Sequence, residues 1–296
     1  MKLLATSLLT FGAAIALHAA TTIDNTNKFA YGANIGWINW QGDVTNGAVI
    51  GEFICSGYIY SANCGWINVG GGAPANGIRY QNNSGTDFGV NVQDYFSNGV
   101  ICEAKLRGFA YGANIGWINF ENTGDPRVNL ANGQLLGFAY SANTGWVSLN
   151  GTNVNVFTTS LAPGADSDGD GIPDAWERQF TGNLTLLTAA GDRDGDGELD
   201  VEEYLGDTNP FDSNDKLRIT AFVTPYFPTL GMVMSNLTWT SKPSRKYRVE
   251  SHSDLLTPWV LRLDDIPSAG ATTTKSFTDA VPMHFFRVSA LRPLTP

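Results

Sequence analysis

Histidine, cysteine and basic residues are all scarce in this chain, and each shortage removes a class of function. Of three histidines in 296 residues, His18 lies in an apolar leader, which leaves only His252 and His284 for acid–base chemistry. No Gly-x-Ser-x-Gly elbow, HExxH helix or Walker loop accompanies them, so an enzyme is not expected. Asp87, Asp94, Glu103 and Glu121 supply carboxylates, but nothing in their spacing suggests a glycosidase pair. Three cysteines, Cys55, Cys64 and Cys102, leave at least one thiol unpaired; one disulfide is the expectation, with its pairing open. Lys and Arg number 18 against 28 Asp and Glu, and no basic stripe exists to neutralise phosphates, which excludes nucleic acid as a partner. After residue 20 no segment approaches twenty apolar residues, so no transmembrane span is expected.

What is present begins with Lys2, an apolar stretch from Leu3 to Leu17, and Ala19-Ala20. This predicts a secretory signal peptide over 1–20 and a secreted or cell-surface protein. No apolar anchor follows Arg292, so release or noncovalent attachment is expected. Abundant Gly, Asn, Thr and aromatics with few Lys and Glu point to short strands and tight turns.

One phrase occurs four times: Phe29 to Trp40, Tyr58 to Val69, Phe109 to Phe120 and Phe138 to Leu149. Each reads as a hairpin, with alternating strands around an Ala-Asn-x-Gly turn. Asn34, Asn63, Asn114 and Asn143 can adopt left-handed geometry there, and Gly36, Gly65, Gly116 and Gly145 tolerate positive φ. A stretch from about Gly71 to Val100 is inserted between the two pairs. At fixed positions in a repeated hairpin, large aromatics are expected to fill the interior, so Tyr31, Trp37, Tyr60, Trp66, Tyr111, Trp117, Tyr140 and Trp146 read first as core. Flat rings beside Asn amides also suit sugar, and that is the alternative.

Acidity is concentrated between Leu161 and Lys216, where fifteen carboxylates face only Arg178, Arg193 and Lys216. Their spacing is ordered. A twelve-residue calcium loop takes oxygens from positions 1, 3, 5, 7, 9 and 12, with glycine at 6 for the sharp turn. Asp166, Asp168, Asp170, the Ile172 carbonyl, Asp174 and Glu177 fit, with Gly171 at the turn; Asp192, Asp194, Asp196, the Glu198 carbonyl, Asp200 and Glu203 repeat the pattern around Gly197. Two Ca²⁺ sites follow as the expectation. Position 8 of the first loop is Pro173, which has no N–H with which to pair a partner loop. The sites therefore read as constitutive struts with affinity on the order of 10⁻⁴ to 10⁻³ M, not as a signalling pair.

These residues carry resemblances. DSDGDGIPDAWE followed by GDRDGDGELDVEEYLGDTNPFDSND resembles the thrombospondin type 3 repeat-like calcium segments of secreted bacterial proteins. The FAYGANIGWINF phrases are similar to a bacterial extracellular repeat family with no established activity, and the stretch from LTWTSKPSRKYRVE to HFFRVSAL resembles a C-terminal β-sandwich found after such segments. A dockerin fits less well, since Ala175-Trp176 and Val201-Glu202 stand where its Ser/Thr pairs would.

The expected architecture is mainly β and multidomain: a repeat domain of aromatic β-hairpins over 21–160, a small α-helical calcium-binding connector over 161–216, and an antiparallel β-sandwich over 217–296 with Trp239 and Trp259 in its core. The expected function is a secreted calcium-binding structural or adhesion protein; the alternative is an extracellular carbohydrate-binding protein. Calcium is the expected cofactor, and an extracellular glycan or protein the further partner.

Overall fold

A computed structural model describes residues 21–43, 45–223, 226–227, 232–252, 258–279 and 285–295. The segment read as a signal peptide and His284 lie outside them. The chain is mainly β, in several sheets.

Each of the four phrases forms an antiparallel hairpin. The strand pairs are Ile23–Gly32 with Gly36–Asn39, Cys55–Ser61 with Gly65–Gly70, Cys102–Gly112 with Gly116–Asn119, and Phe138–Ser141 with Gly145–Ser148. We number these hairpins 1 to 4. Hairpin 1 pairs with 2 at Asn39 and Tyr60, 2 with 3 at Asn68 and Tyr111, 3 with 4 at Asn119 and Tyr140, and 4 with 1 at Ser148 and Tyr31. The ring closes. Eight strands thus form an antiparallel barrel, which removes the sheet edges a row of isolated hairpins would leave unpaired.

The turns lock the ring from one end. The glycine that follows each three-residue turn takes the left-handed conformation, with φ of +73° at Gly36 and +79° at Gly65; Asn34 and its counterparts stay at negative φ, contrary to the sequence expectation, because the glycine carries the left-handed position. Asn34 Nδ2 donates to the Thr144 carbonyl at 3.0 Å, Asn63 to Ile35 at 3.0 Å, Asn114 to Cys64 at 3.1 Å and Asn143 to Ile115 at 3.0 Å. Every hairpin is thereby tied to the one before it.

An eight-stranded barrel has an interior just wide enough for side chains. Its middle layer is Ala30 with Ile38, Ile59 with Ile67, Ala110 with Ile118 and Ala139 with Val147, all buried cross-strand partners. Ile35, Cys64, Ile115 and Thr144 close the turn end, and Trp40, Val69, Phe120 and Leu149 close the other. The expectation of an aromatic interior is therefore corrected. Trp37 is 49% exposed and Trp66, Trp117 and Trp146 are each 45% exposed, with Tyr31, Tyr60, Tyr111 and Tyr140 beside them on the outer face. Eight such rings would not fit inside; alanine, glycine and isoleucine do.

This assignment of faces is testable. Ala110→Leu forces extra volume into a filled layer and should destabilise by about 1–3 kcal/mol. Trp117→Ala should cost only about 1 kcal/mol, for lost ring contacts on the surface. Urea unfolding of the two variants measures this, and the opposite ranking would reverse the assignment.

The inserted stretch supplies a strand, Val90–Ser97, that pairs with the start of Cys102–Gly112 outside the ring. Cys55, Cys64 and Cys102 are all buried free thiols, so the expected disulfide does not form. Each sits on its own strand or turn inside the core cluster, and burial pushes the Cys55 thiol up to about 12.

The C-terminal region has a four-stranded sheet around Met232–Thr240 and a three-stranded sheet around Lys246–His252. Leu237, Trp239, Tyr247, Val249 and Ile266 share one core. Trp239 is fully buried as expected. Trp259 is only half-buried, against His252 and the Arg287 guanidinium.

Candidate metal centre

Between the barrel and the C-terminal sheets, two acidic loops lead into two short helices, α1 (Asp174–Phe180) and α2 (Asp200–Gly206). Three side-chain-to-backbone bonds recur in both loops. Asp166 accepts the Gly169 N–H at 2.8 Å on one oxygen and the Gly171 N–H at 2.9 Å on the other. Asp192 accepts Gly195 at 2.8 Å and Gly197 at 3.0 Å in the same way. Asp170 holds the Ile172 N–H at 2.9 Å, and Asp196 holds that of Glu198 at 2.8 Å. In both, the sixth-position glycine has strongly positive φ, +94° at Gly171 and +97° at Gly197, where a side chain would strain the turn. These bonds curl the backbone so that carboxylate oxygens of Asp166, Asp168 and Asp170 lie within 4.8 Å of one another, and likewise those of Asp192, Asp194 and Asp196.

The twelfth-position residues, Glu177 and Glu203, stand within electrostatic reach of the two triads. Glu177 and Glu203 are fully buried, yet both carboxylate oxygens of each have no hydrogen-bond partner among the described residues. Asp170, Asp194 and Asp196 each carry one further buried oxygen without a hydrogen bond, that of Asp196 lying 3.6 Å from the Lys216 ammonium. Burial, then repulsion from Asp168 and Asp170, pushes Glu177 up to about 7; burial, then Asp194 and Asp196, pushes Glu203 up to about 8. Unpartnered buried carboxylates are costly unless a proton or cation satisfies them. This donor set is all oxygen, which suits a hard divalent cation.

At position nine both carboxylates are engaged by hydrogen bonds within the chain. The calcium-loop spacing assigns Asp174 as a ligand, directly or through water, but its Oδ1 accepts the Ser167 N–H at 2.7 Å and its Oδ2 takes the Ser167 hydroxyl at 2.7 Å and Arg178 at 3.1 Å. Burial opposes ionisation of Asp174, but Ser167 and Arg178 outweigh it and hold the carboxyl below its ordinary range. Asp200 likewise accepts the Arg193 N–H at 2.9 Å and the Thr188 N–H at 2.8 Å. Both residues close the loop across its mouth, and the sequence pattern cannot separate that job from ligation, since either needs a carboxylate at the same spacing. Glu198 offers its carbonyl by position, while its side chain accepts the Leu217 N–H at 3.1 Å. Lys216, which no sequence motif singles out, donates to the Asp196 carbonyl at 3.0 Å.

Position eight begins a helix in both loops, Pro173 before α1 and Leu199 before α2. Leu199 has an N–H, but it donates to Glu202 at 3.0 Å and not to a partner loop. Trp176 from α1 and Tyr204 from α2 meet at 5.7 Å between ring centres, with Ile172, Leu187 and Phe53 of the barrel region in the same cluster. On the far side, Arg245 of the C-terminal region donates to the α2 carbonyls of Tyr204 and Leu205, each at 2.8 Å. A cation at a helix C-terminus satisfies carbonyls that have no partner within the helix. Glu52, from the barrel region, accepts the Tyr204 hydroxyl at 3.3 Å and pairs with Arg292. The helices behind the acidic loops are thus packed on both sides.

With calcium chelated, stability should fall between about pH 5 and about pH 8. Glu177 and Glu203 hold their protons more tightly folded than unfolded, so their contribution is complete below the ordinary value of 4.5 and is lost as pH rises through about 7 and about 8. Melting in chelator across this range checks the sign, and greater stability at the alkaline end would contradict it.

No family model, no curated protein and no solved structure matches the chain.

Proposed function

We propose that this is a secreted calcium-binding structural or adhesion protein, in which Ca²⁺ at two loops rigidifies the connector between two β domains. The observation that supports it best is the pair of fully buried, unpartnered carboxylates, Glu177 and Glu203, behind the two aspartate triads. The first ion would be held by Asp166, Asp168, Asp170, the Ile172 carbonyl and Glu177. Asp192, Asp194, Asp196, the Glu198 carbonyl and Glu203 would hold the second. The ion supplies positive charge that lets these carboxylates ionise together, and the helices that carry Glu177 and Glu203 are then pinned to their loops. Secretion rests on the leader sequence and on the resemblance to extracellular calcium segments.

Isothermal titration with Ca²⁺ tests the reading directly. Two ions per chain are expected, and Glu177→Gln or Glu203→Gln should each remove one. Absence of binding at millimolar calcium would rule it out.

A second reading, that the protein also binds extracellular carbohydrate, is favoured by one observation. All four repeat tryptophans stand on the outer surface of the barrel, each against a tyrosine at 4.8–5.1 Å between ring centres.

A further inference from the structure

We propose that uncharged saccharides bind at the seams between neighbouring hairpins of the barrel, where an asparagine amide lies between two aromatic side chains. The inference rests on the carbohydrate reading above and gives it a site. Strand register places one residue from each of three adjacent strands in a row on the outer face. The rows are Phe29, Asn39 and Tyr60; Tyr58, Asn68 and Tyr111; Phe109, Asn119 and Tyr140; and Phe138, Ser148 and Tyr31. Directly paired residues project to the same face, and the tryptophan two positions before each asparagine shares that face.

The amides are oriented by the backbone. The Oδ1 atoms of Asn39, Asn68 and Asn119 accept the N–H two residues on, at 3.0 Å from Gln41, 2.7 Å from Gly70 and 2.5 Å from Glu121. A backbone N–H can only donate, so each Oδ1 is fixed as the acceptor and Nδ2 is left as the outward donor. Asn39 Nδ2 reaches the Gly42 carbonyl at 3.5 Å; those of Asn68 and Asn119 meet no acceptor among the described residues. Ser148 lacks a free donor, because its hydroxyl donates to the Asn150 carbonyl at 2.7 Å.

A pyranose ring presents an apolar face of C–H bonds and a rim of hydroxyl oxygens. An aromatic ring covers the first, and an amide N–H beside it donates to the second. No row contains a charged residue, so the ligand that loses least on desolvation here is a neutral sugar, not a uronate or a sulfated one. The Asn119 row also shares Phe109 with a groove of about 420 Å³, walled by Trp117, Phe88, Asn82 and Asn83, a size within the range of small-molecule sites. Similar seams around one ring let a polymer engage more than one at a time, which raises avidity without new contacts.

The test uses the full calcium-loaded chain on an array of neutral gluco-, manno-, xylo- and galacto-oligosaccharides beside uronate and sulfated ones. Binding to at least one neutral series is expected, and not to the acidic series. The double variant Asn68→Asp, Asn119→Asp keeps the oxygen that braces the backbone and removes the donor; it should weaken binding about tenfold at an unchanged melting temperature. If neutral binding survives in that variant but is lost in Trp66→Ala, Trp117→Ala, the rings bind sugar and the seam assignment is overturned while the carbohydrate reading stands. If no neutral oligosaccharide binds, both fail. Sedimentation gives a last discriminator: if the wild type self-associates and Trp66→Ala, Trp117→Ala makes it monomeric, the belt is a contact between copies and the proposal is overturned.

Discussion

Removing calcium should lower the melting temperature of the transition that unfolds the connector by about 10–20 °C. The size follows from linkage: a ligand present at about one hundred times its dissociation constant stabilises by about 2.7 kcal/mol per site, so two sites give about 5 kcal/mol. At about 2–4 °C per kcal/mol for a chain of this size, that range results. Differential scanning calorimetry with calcium and with chelator measures it. The double variant Glu177→Gln, Glu203→Gln sharpens the test, because its effect should change sign with the ion. With calcium it should melt far below wild type. In chelator it should melt at or above wild type, since Gln removes two buried carboxylates that repel Asp168, Asp170, Asp194 and Asp196. A purely structural role for the two glutamates would lower stability under both conditions. A wild-type melt that ignores chelation would sink the calcium reading altogether.

Trp176→Ala should destabilise by about 3–5 kcal/mol, the range for emptying a large aromatic site in a core. Trp176 is fully buried and meets Phe180 at 4.9 Å and Tyr204 at 5.7 Å between ring centres. Its indole nitrogen has no hydrogen-bond partner among the described residues, so the loss is one of packing. Because the next residue along α1 is Glu177, calcium affinity at the first loop should fall as well. Trp176→Phe, which keeps an aromatic ring in the cluster, is the milder control. Denaturant unfolding with a parallel calcium titration separates the two effects, and a cost under about 1 kcal/mol for the alanine variant would show that the helices are held by their loops and not by this cluster.

The acidic loops are largely legible in the amino-acid sequence. Aspartate at every second position with glycine at the sixth is a local pattern, and the bonds that realise it, Asp166 to Gly169 and Gly171, span at most five residues. Asp174 shows where that legibility stops. Ligation and loop closure ask for the same residue at the same place, and only the position of Ser167 and Arg178 around it distinguishes them. Burial of Glu177 and Glu203 is not readable either, because the helices that carry them pack with elements far along the chain: Phe53 shares a core cluster with Trp176 and Tyr204, and Glu52 accepts the Tyr204 hydroxyl.

For the barrel, the four hairpins, their turns and the alternation of two faces along each strand are legible in local spacing alone. The choice of inner face was made by closure. A row of hairpins could bury either face, but eight strands bent into a ring enclose too little volume for Trp37, Tyr31 and their counterparts, so the Ala30, Ile38 and Gly32 face turns inward and the rings turn out. Four amides from Asn34, Asn63, Asn114 and Asn143 then fasten neighbours that are distant in sequence, with Asn34 reaching 110 residues along the chain. Local spacing sets what a loop or hairpin can be; which side meets water and which groups go unpaired are decided only when distant segments compete for one finite interior.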